Sequence, residues 1–485
     1  MTVILVKLDT HFSNIKNPPL GLMYIANSLE KEGHEVKLLH SPNYYHLKED
    51  IPKFVEAIKK EKPLFVGLSV MTGMQTRYSG ELCERIKNEC GDIPIVWGGP
   101  HASSIPEQCL EEDYIDFVVV GDGEDTSVEL ARELTKKRRD FSKITGLAYK
   151  DHGELKMNPR RQYERNLDKY AIAWHLIDVE KYLFKGGKCE RAIVYTMSRG
   201  CPYRCAFCYN QTLGNTVYRS HSFEHVMKDL NELKEKYKID GVYFFDDNLF
   251  VNQKMALEII NEMGLYWFGE IRINQVTEDF AKKVHENGKC LLLGIGAESG
   301  NDRVLEMIKK DITTDMVREK TKILVKYRIP LDYYFIIGFP GETEDEVVDT
   351  LKFIQELEKL YSNSKIFNAK LGIYNPYPGT PLYLEALKRG FKQPKDTKSW
   401  EVMDRYDIKF SFPWMDKLKL KAMFLYYRYW KFSKFHSTYM RPDLHLFKKI
   451  YEKRLENKNF ELSYDVLLYS RIEEFLRKLY YRKYK

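Results

Sequence analysis

Along the first 140 residues, short apolar runs alternate with stretches whose apolar positions fall at helical spacing. TVILVKL (2–8) is a run of strand length. GLMYIANSLEKEGHEV then carries apolar residues three and four apart, and VKLL follows. Unbroken apolar runs of this length suit strands buried on both sides, and the i, i+3, i+4 spacing suits a helix packed along one face. The pattern repeats through LFVGLSV (64–70), a helix around 76–90, PIVWGGP (94–100), a helix around 106–112, DFVVVGDGE (116–124) and a helix from 125 to about 137. Alternation of this kind predicts an α/β domain over 1–140 with a Rossmann-like, doubly wound parallel sheet. ITGLAYK and DHGELKMN read as a small hairpin, and 159–190 lacks strong periodicity, so 141–190 reads as a linker.

A second series begins at residue 191 with AIVYTMSRG, GVYFFDDN, EIRIN, LLLGIGAESG, YYFIIGFPGE and LGIYNPYPGT. Six apolar strands separated by helix-length stretches predict a partial (β/α)6 barrel over 191–395, with its site at the strand ends. Residues 396–485 predict a mainly helical C-terminal extension.

Composition narrows the picture. A chain of 485 residues, 44% hydrophobic and 30% charged, is globular and long enough for two or three domains. No stretch approaches the ~20 apolar residues of a membrane span, and MTVILVKLDTHF runs straight into a strand instead of a leader, so a cytoplasmic protein is expected. A net charge of +7 over 77 basic and 70 acidic residues points to no nucleic-acid partner. Basic and aromatic residues crowd the end of the chain, in KAMFLYYRYWKFSKF and FLRKLYYRKYK. A solvated helical face explains them, and peripheral contact with an anionic membrane surface, or contact with an acidic substrate, is the other reading. Eight cysteines in such a chain fit a reducing compartment better than a disulfide framework.

Cys201, Cys205 and Cys208 stand in a seven-residue arc, Cys-Pro-Tyr-Arg-Cys-Ala-Phe-Cys, spaced to hold three corners of an iron–sulfur cube and leave its fourth iron open. A closed zinc site would want a fourth ligand, and no other cysteine pair has ligand spacing. With Phe207 before the last cysteine, the arc resembles the CxxxCxxC signature of the radical S-adenosylmethionine enzymes. In that family a [4Fe-4S] cluster binds S-adenosyl-L-methionine at the open iron and cleaves it to a 5′-deoxyadenosyl radical. The resemblance implies anaerobic work and an external electron donor of the ferredoxin or flavodoxin type.

The resemblance also implies contacts to S-adenosylmethionine at successive strand ends. Asp246, Asp247 and Asn248 stand where the family holds the amino group, Asp247 being the preferred contact, although Asp-Asp-Asn also suits a helix cap. Arg272 and Asn274 stand where the carboxylate or ribose is held, Glu298 and Ser299 at a ribose or amino position, and Gly338 in the stretch beside the adenine.

The first domain resembles the cobalamin-binding domain that precedes the radical domain in one subfamily, through NPPLG (17–21), GLSVMT (67–72), WGGPH (97–101) and VGDGE (120–124). The contacts implied are Pro19, Ser69, Thr72, Gly98, Gly99, His101, Gly121 and Glu124. DTHFSN (9–14) nearly matches the DxHxxG loop whose histidine ligates cobalt, with Asn14 in place of the glycine. His11 is therefore a candidate cobalt ligand with Asp9 as its orienting partner, or an ordinary loop residue.

Together these features imply a cobalamin-dependent radical enzyme, with methyl transfer to an unactivated carbon as the leading reaction. The alternatives are a radical cyclisation or oxidation, like the anaerobic cyclase of chlorophyll-type tetrapyrroles, and a non-catalytic cobalamin or redox sensor. A tRNA methylthiotransferase would need three further clustered cysteines, and Cys83, Cys90 and Cys109 lack that spacing. If Tyr426, Tyr427, Tyr429, Trp430, Phe432 and Phe435 face the site, a large apolar substrate such as a lipid, isoprenoid or tetrapyrrole follows. If they form helical core, it does not.

Overall fold

A computed structural model describes residues 1–11, 16–214, 216–361, 367–404, 407–433, 442–461 and 463–472. The first sheet contains β1 (Thr2–Leu8), β2 (Glu35–Ser41), β3 (Val66–Ser69), β4 (Ile95–Gly98), β5 (Phe117–Val119), β6 (Leu147–Asp151) and β7 (Glu154–Met157). Its spatial order is β2-β1-β3-β4-β5-β6-β7. β1 to β5 run parallel. The order reverses beside β1, which opens a crevice beyond the carboxyl ends of β1 and β3, the usual ligand position in such sheets.

Side chains of β1 alternate between two apolar layers. Val3 and Leu5 pack with Leu22, Ala26 and Leu29 of helix Leu20–Lys31 and with Leu130 of helix Glu124–Leu134. Ile4 and Val6 pack with Val55, Ile58, Leu82 and Ile86 of the helices on the other face. Cover on both faces is why these strands read as unbroken apolar runs.

The stretch expected as a linker is only partly one. β6 and β7 form the expected hairpin and extend the first sheet antiparallel to β5. His152 (φ 48°) and Gly153 (φ 86°) make its two-residue turn, where both central positions need positive φ. At the other end, β8 (Phe184–Gly186) pairs antiparallel with β9 (Cys189–Tyr195) and joins the second sheet.

A small ribbon, β10 (Ser198–Arg199) with β11 (Arg219–Ser220), follows β9. β12 (Gly241–Phe244), β13 (Tyr266–Ile271), β14 (Cys290–Glu298), β15 (Leu331–Ile337) and β16 (Phe367–Ile373) then continue the second sheet, in the order β16-β15-β14-β13-β12-β9-β8. The six strands from β9 to β16 are all parallel, as a (β/α)6 half-barrel requires.

After helix Pro381–Lys388 the chain crosses back to the first domain. Gln108 donates to the Pro394 carbonyl at 2.8 Å, Tyr114 and Thr397 share a hydroxyl bond of 2.7 Å, and Lys398 meets Glu84 at 2.6 Å. Trp400 is fully buried and donates its indole N–H to Gln108. The boundary expected near 395 thus falls inside a strap that packs on the first domain.

Helices Lys417–Ser433 and Pro442–Glu456 follow. Tyr426, Tyr427, Tyr429 and Trp430 are buried, with Tyr429 against Phe447, Trp430 against Tyr451, and the Tyr427 hydroxyl bonded to the Ala369 carbonyl of β16. They are inter-helix core against the barrel's last strand, so they do not support a large apolar substrate. Phe432 is exposed, and Phe435, like most of the basic terminus, lies outside the described residues. Among the described residues no helix is long and apolar enough to cross a membrane.

Candidate active site

The cysteine arc hangs between β10 and helix Tyr209–Leu213, anchored at its centre. Ala206 donates to the Ile308 carbonyl at 2.8 Å and accepts from the Leu382 amide at 3.0 Å, so the loop is pinned from two sides of the barrel. Burial raises the Cys201 thiol and pushes Cys208 up to about 12. A desolvated thiol of this kind ionises when a metal compensates the charge. Among the described residues, a different group is the one drawn within 4.8 Å as ligands of a single ion must be. The three thiols do not all lie that close together, so they are not drawn up around one ion.

Around the arc the expected S-adenosylmethionine residues divide. Asp247 is exposed at the mouth although crowded by protein, which raises its carboxyl, and one oxygen accepts from the Gly200 amide at 3.0 Å. Asn274 is half-buried with a side-chain oxygen that has no partner. Phe207 lies against Phe339 of the Gly-Phe-Pro turn, ring centres 5.8 Å apart. Glu298 is buried with φ +64° and pairs with Lys310 at 2.7 Å.

Other residues of the expected set are spent on the protein itself. Asp246 is buried, accepts from the Met197 and Ser198 amides, and is pushed up to about 7 by desolvation. Asn248 bonds Gln275 and the Phe250 amide, and the cap of the next helix is Asn252 instead. Ser299 is fully buried on Thr350. The Gly338 amide donates to Glu342, and its carbonyl accepts from Trp414 at 3.0 Å. Arg272, expected at a carboxylate or ribose, donates to the Cys205 sulfur at 3.0 Å and stacks on Tyr203 at 3.8 Å, leaving its Nε without a partner.

In the first domain, a cavity of about 260 Å³ opens at the carboxyl ends of the strands. Of the expected corrinoid contacts, Ser69, Gly98, Gly99, Gly121 and Glu124 line it. Gly99 sits at φ 87°, ψ −177°, a conformation open essentially to glycine alone, and a Cβ there would stand 3.0 Å from the Val70 amide and carbonyl. The bare glycine edges make a floor on which a flat, bulky group can lie against backbone, as a corrinoid tail requires.

Three expected corrinoid contacts do not line this cavity. Pro19 instead starts helix Leu20–Lys31, whose first turn does line it. Thr72 and His101 bond each other at 2.9 Å, the Tyr209 hydroxyl donates to Thr72, and the fully buried His101 ring packs edge-on against Trp400. Burial lowers the His101 imidazole to about 3. Asp9 does not orient His11: it holds His40 and Gln75, each at 3.0 Å. Neither His11 ring nitrogen has a partner, and Phe12, Ser13 and Asn14 lie outside the described residues.

The sequence reading missed Tyr24, Thr196 and Arg199, which also line the cavity. Arg199 reaches from the barrel domain to Glu124 at 2.6 Å and Asp122 at 3.4 Å, and lies over the Tyr24 ring at 4.6 Å. Arg219 completes the group on Asp122 at 2.7 Å. The nearest signal was position, since Arg199 stands two residues before Cys201.

A corrinoid-type crevice sheet joined to a cysteine-armed half-barrel defines a cobalamin-dependent radical enzyme. The comparisons agree. Residues 13–131 match the B12 binding domain model, and residues 195–354 match the radical SAM superfamily model. An uncharacterized methyltransferase of Pyrococcus horikoshii is 34% identical over 397 residues, covering 80% of this chain and 82% of that protein. Cytidylyl-2-hydroxyethylphosphonate methyltransferase of Streptomyces wedmorensis is 28% identical over 440 residues, covering 78% and 79%. The cobalamin-dependent S-adenosylmethionine radical enzyme OxsB, solved with aqua-cobalamin bound, shares the fold at a TM-score of 0.69 and 18% identity, over 98% of this chain and 75% of that one. The chain belongs to the cobalamin-dependent radical S-adenosylmethionine enzymes, a family that includes methyltransferases, and its cofactors are a [4Fe-4S] cluster, S-adenosylmethionine and cobalamin.

Proposed function

We propose that the protein is a C-methyltransferase acting on an unactivated carbon. The observation that carries this reading is the reach of Thr196 and Arg199, on the strand-end loop that leads into Cys201, into the first-domain cavity. One continuous stretch of about a dozen residues therefore lies against both cofactor sites. When bound, cluster and S-adenosylmethionine supply a 5′-deoxyadenosyl radical and the corrinoid supplies the methyl group.

In this reading Cys201, Cys205 and Cys208 hold the cluster, and the Arg272 N–H to Cys205 steadies one thiolate. Asp247 takes the ammonium of S-adenosylmethionine, the free oxygen of Asn274 takes a ribose hydroxyl, and Phe207 walls the site. Glu298, neutralised by Lys310, bounds the barrel lumen. Ser69 and the backbone of Gly98, Gly99 and Gly121 receive the corrinoid tail, with Glu124, paired to Arg199, lining the same cavity. An external ferredoxin- or flavodoxin-type donor feeds the cluster.

A large apolar substrate keeps its support from relatives rather than from the C-terminal aromatics. Matches over about half of this chain carry the names hopanoid C-3 methylase and bacteriochlorophyllide d C-12(1)-methyltransferase.

The test is anaerobic turnover of the reconstituted enzyme, using as substrate pool a lipid and metabolite extract of cells lacking the gene. S-adenosylhomocysteine and 5′-deoxyadenosine should form together, with one extract component gaining a CH2 increment that Cys208→Ala abolishes. 5′-deoxyadenosine with no S-adenosylhomocysteine would reject methyl transfer in favour of cyclisation or oxidation, and neither product would favour a sensor.

A further inference from the structure

We propose that Asp168, His221 and His225 form a zinc site outside the cofactor machinery. Among the described residues these three side chains are the group whose donor atoms all lie within 4.8 Å of one another. They come from two places in the chain. Asp168 sits in a turn of the segment joining the two domains, His221 follows β11, and His225 lies in the first turn of helix Phe223–Tyr237.

The Asp168 Oδ1 is 3.2 Å from the Nδ1 of His221 and 3.6 Å from the Nδ1 of His225. Tetrahedral zinc with bonds of ~2.0–2.1 Å sets its ligand atoms roughly 3.3 Å apart, close to both carboxylate–imidazole separations, and the two stacked rings need only turn about their Cβ–Cγ bonds to aim their nitrogens at one ion. The imidazoles lie 4.2 Å apart and nearly parallel, at 17°. Their other nitrogens face groups of the kind that orient metal-bound histidines. The Nε2 of His221 is 3.1 Å from the Tyr24 hydroxyl, and that of His225 is 3.7 Å from the Asp229 carboxylate, itself bonded by the Tyr195 hydroxyl. Asp168 is exposed, which gives an ion a way in and leaves the fourth position to water.

Zinc here would tie three parts together: the joining segment, the barrel's first helix, and through Tyr24 the helix that lines the first-domain cavity. Its role would be to fix the distance between the two cofactor sites. Without zinc, the same residues are a histidine–aspartate hydrogen-bond pair with a second imidazole stacked on it.

The holoenzyme, its cysteines occupied by the cluster, is incubated with zinc chloride and passed through metal-free gel filtration. Zinc and iron are then counted by mass spectrometry, and the zinc shell is read by X-ray absorption. The expected result is about one zinc per chain with a nitrogen and oxygen shell, bound at least tenfold more weakly in Asp168→Ala and in His225→Gln at unchanged iron content. Should one variant lose iron, the other carries the comparison. Zinc retained equally by both variants, a sulfur shell, or no retained zinc in the unaltered protein overturns the site.

Discussion

Replacing Arg199 by Met tests whether the two cofactor domains are locked by charge. Its side chain is 17% exposed and that of Glu124 3%, at 2.6 Å, so the pair is largely removed from water. Met keeps the aliphatic stem but deletes the guanidinium, and with it the stack on Tyr24, leaving the Glu124 carboxylate buried with its barrel-side partner gone. Breaking one side of a buried pair costs about 3–5 kcal/mol, most of it the uncompensated charge. For 485 residues unfolding as one unit, an entropy of ~2.1 cal/mol/K per residue gives about 1 kcal/mol per degree, hence a fall of ~3–5 °C in Tm. If the first domain melts alone, ~150 residues give about 0.3 kcal/mol per degree and the fall exceeds ~10 °C. Calorimetry on the cofactor-free protein distinguishes the cases. The double variant Arg199→Met with Glu124→Gln removes both charges and should recover most of the loss. A single variant melting within a degree of the unaltered protein, or a double variant as weak as the single, refutes the charge lock.

Three further outcomes are expected. Gly99→Ala forces a side chain into a glycine-only conformation at a cost of about 1–3 kcal/mol and narrows the cavity floor, so cobalamin retained after gel filtration should fall; full retention would remove Gly99 from that site. Trp400→Ala empties a fully buried site beneath the first domain and should cost about 3–5 kcal/mol in chemical denaturation; a cost below ~1 kcal/mol would mean the strap is not tightly packed. Glu342 is pushed up to about 8 by burial while its carboxylate bonds the Gly338 and Phe339 amides. A raised carboxyl contributes stability that is fully present below the unfolded value of ~4.3 and is lost as pH rises through about 8, so Glu342→Gln should flatten the decline of stability across that window by up to ~1.4 kcal/mol per pH unit. An unchanged slope would show that Glu342 is already ionised in the folded protein.

The fold was legible where one physical rule governs a whole segment. Strands covered on both faces must be apolar throughout, so β1, β3, β4 and β5 stood out as runs, while barrel strands such as β13 and β16 alternate buried with partly exposed positions and showed instead as strand-length apolar segments between helix-length stretches. The joining segment was harder. Its hairpin, β6 with β7, was read from the sequence, but β8 has three residues and carries no periodic signal, and neither short piece shows which sheet it joins. The strap around Trp400 was invisible because its burial depends on Gln108 and His101, about three hundred residues earlier in the chain.

The site divides along the same line. The cysteine spacing is a local property, and the sequence displays it whole. Strand-end polar residues are ambiguous, because that position must serve two needs: reaching a ligand and closing the loops that carry the ligand's other contacts. Asp246 shows the second need. Its carboxylate gathers the Met197 and Ser198 amides and so fixes the loop that runs on to Arg199 and Cys201, while its neighbour Asp247 is left open to the mouth. Adjacent residues of the same type thus differ in burial, Asp247 keeping one tie to the loop through the Gly200 amide, and only the direction in which each points separates the two. Arg199 is the reverse case. Nothing local marks it, since its meaning lies in Glu124 and Asp122, some seventy-five residues away, and in the cavity it closes. Taken together, the loop that Asp246 fixes in place is the one through which Arg199 grips the first domain, so a single segment sets both the position of the thiols and their distance from the first-domain cavity.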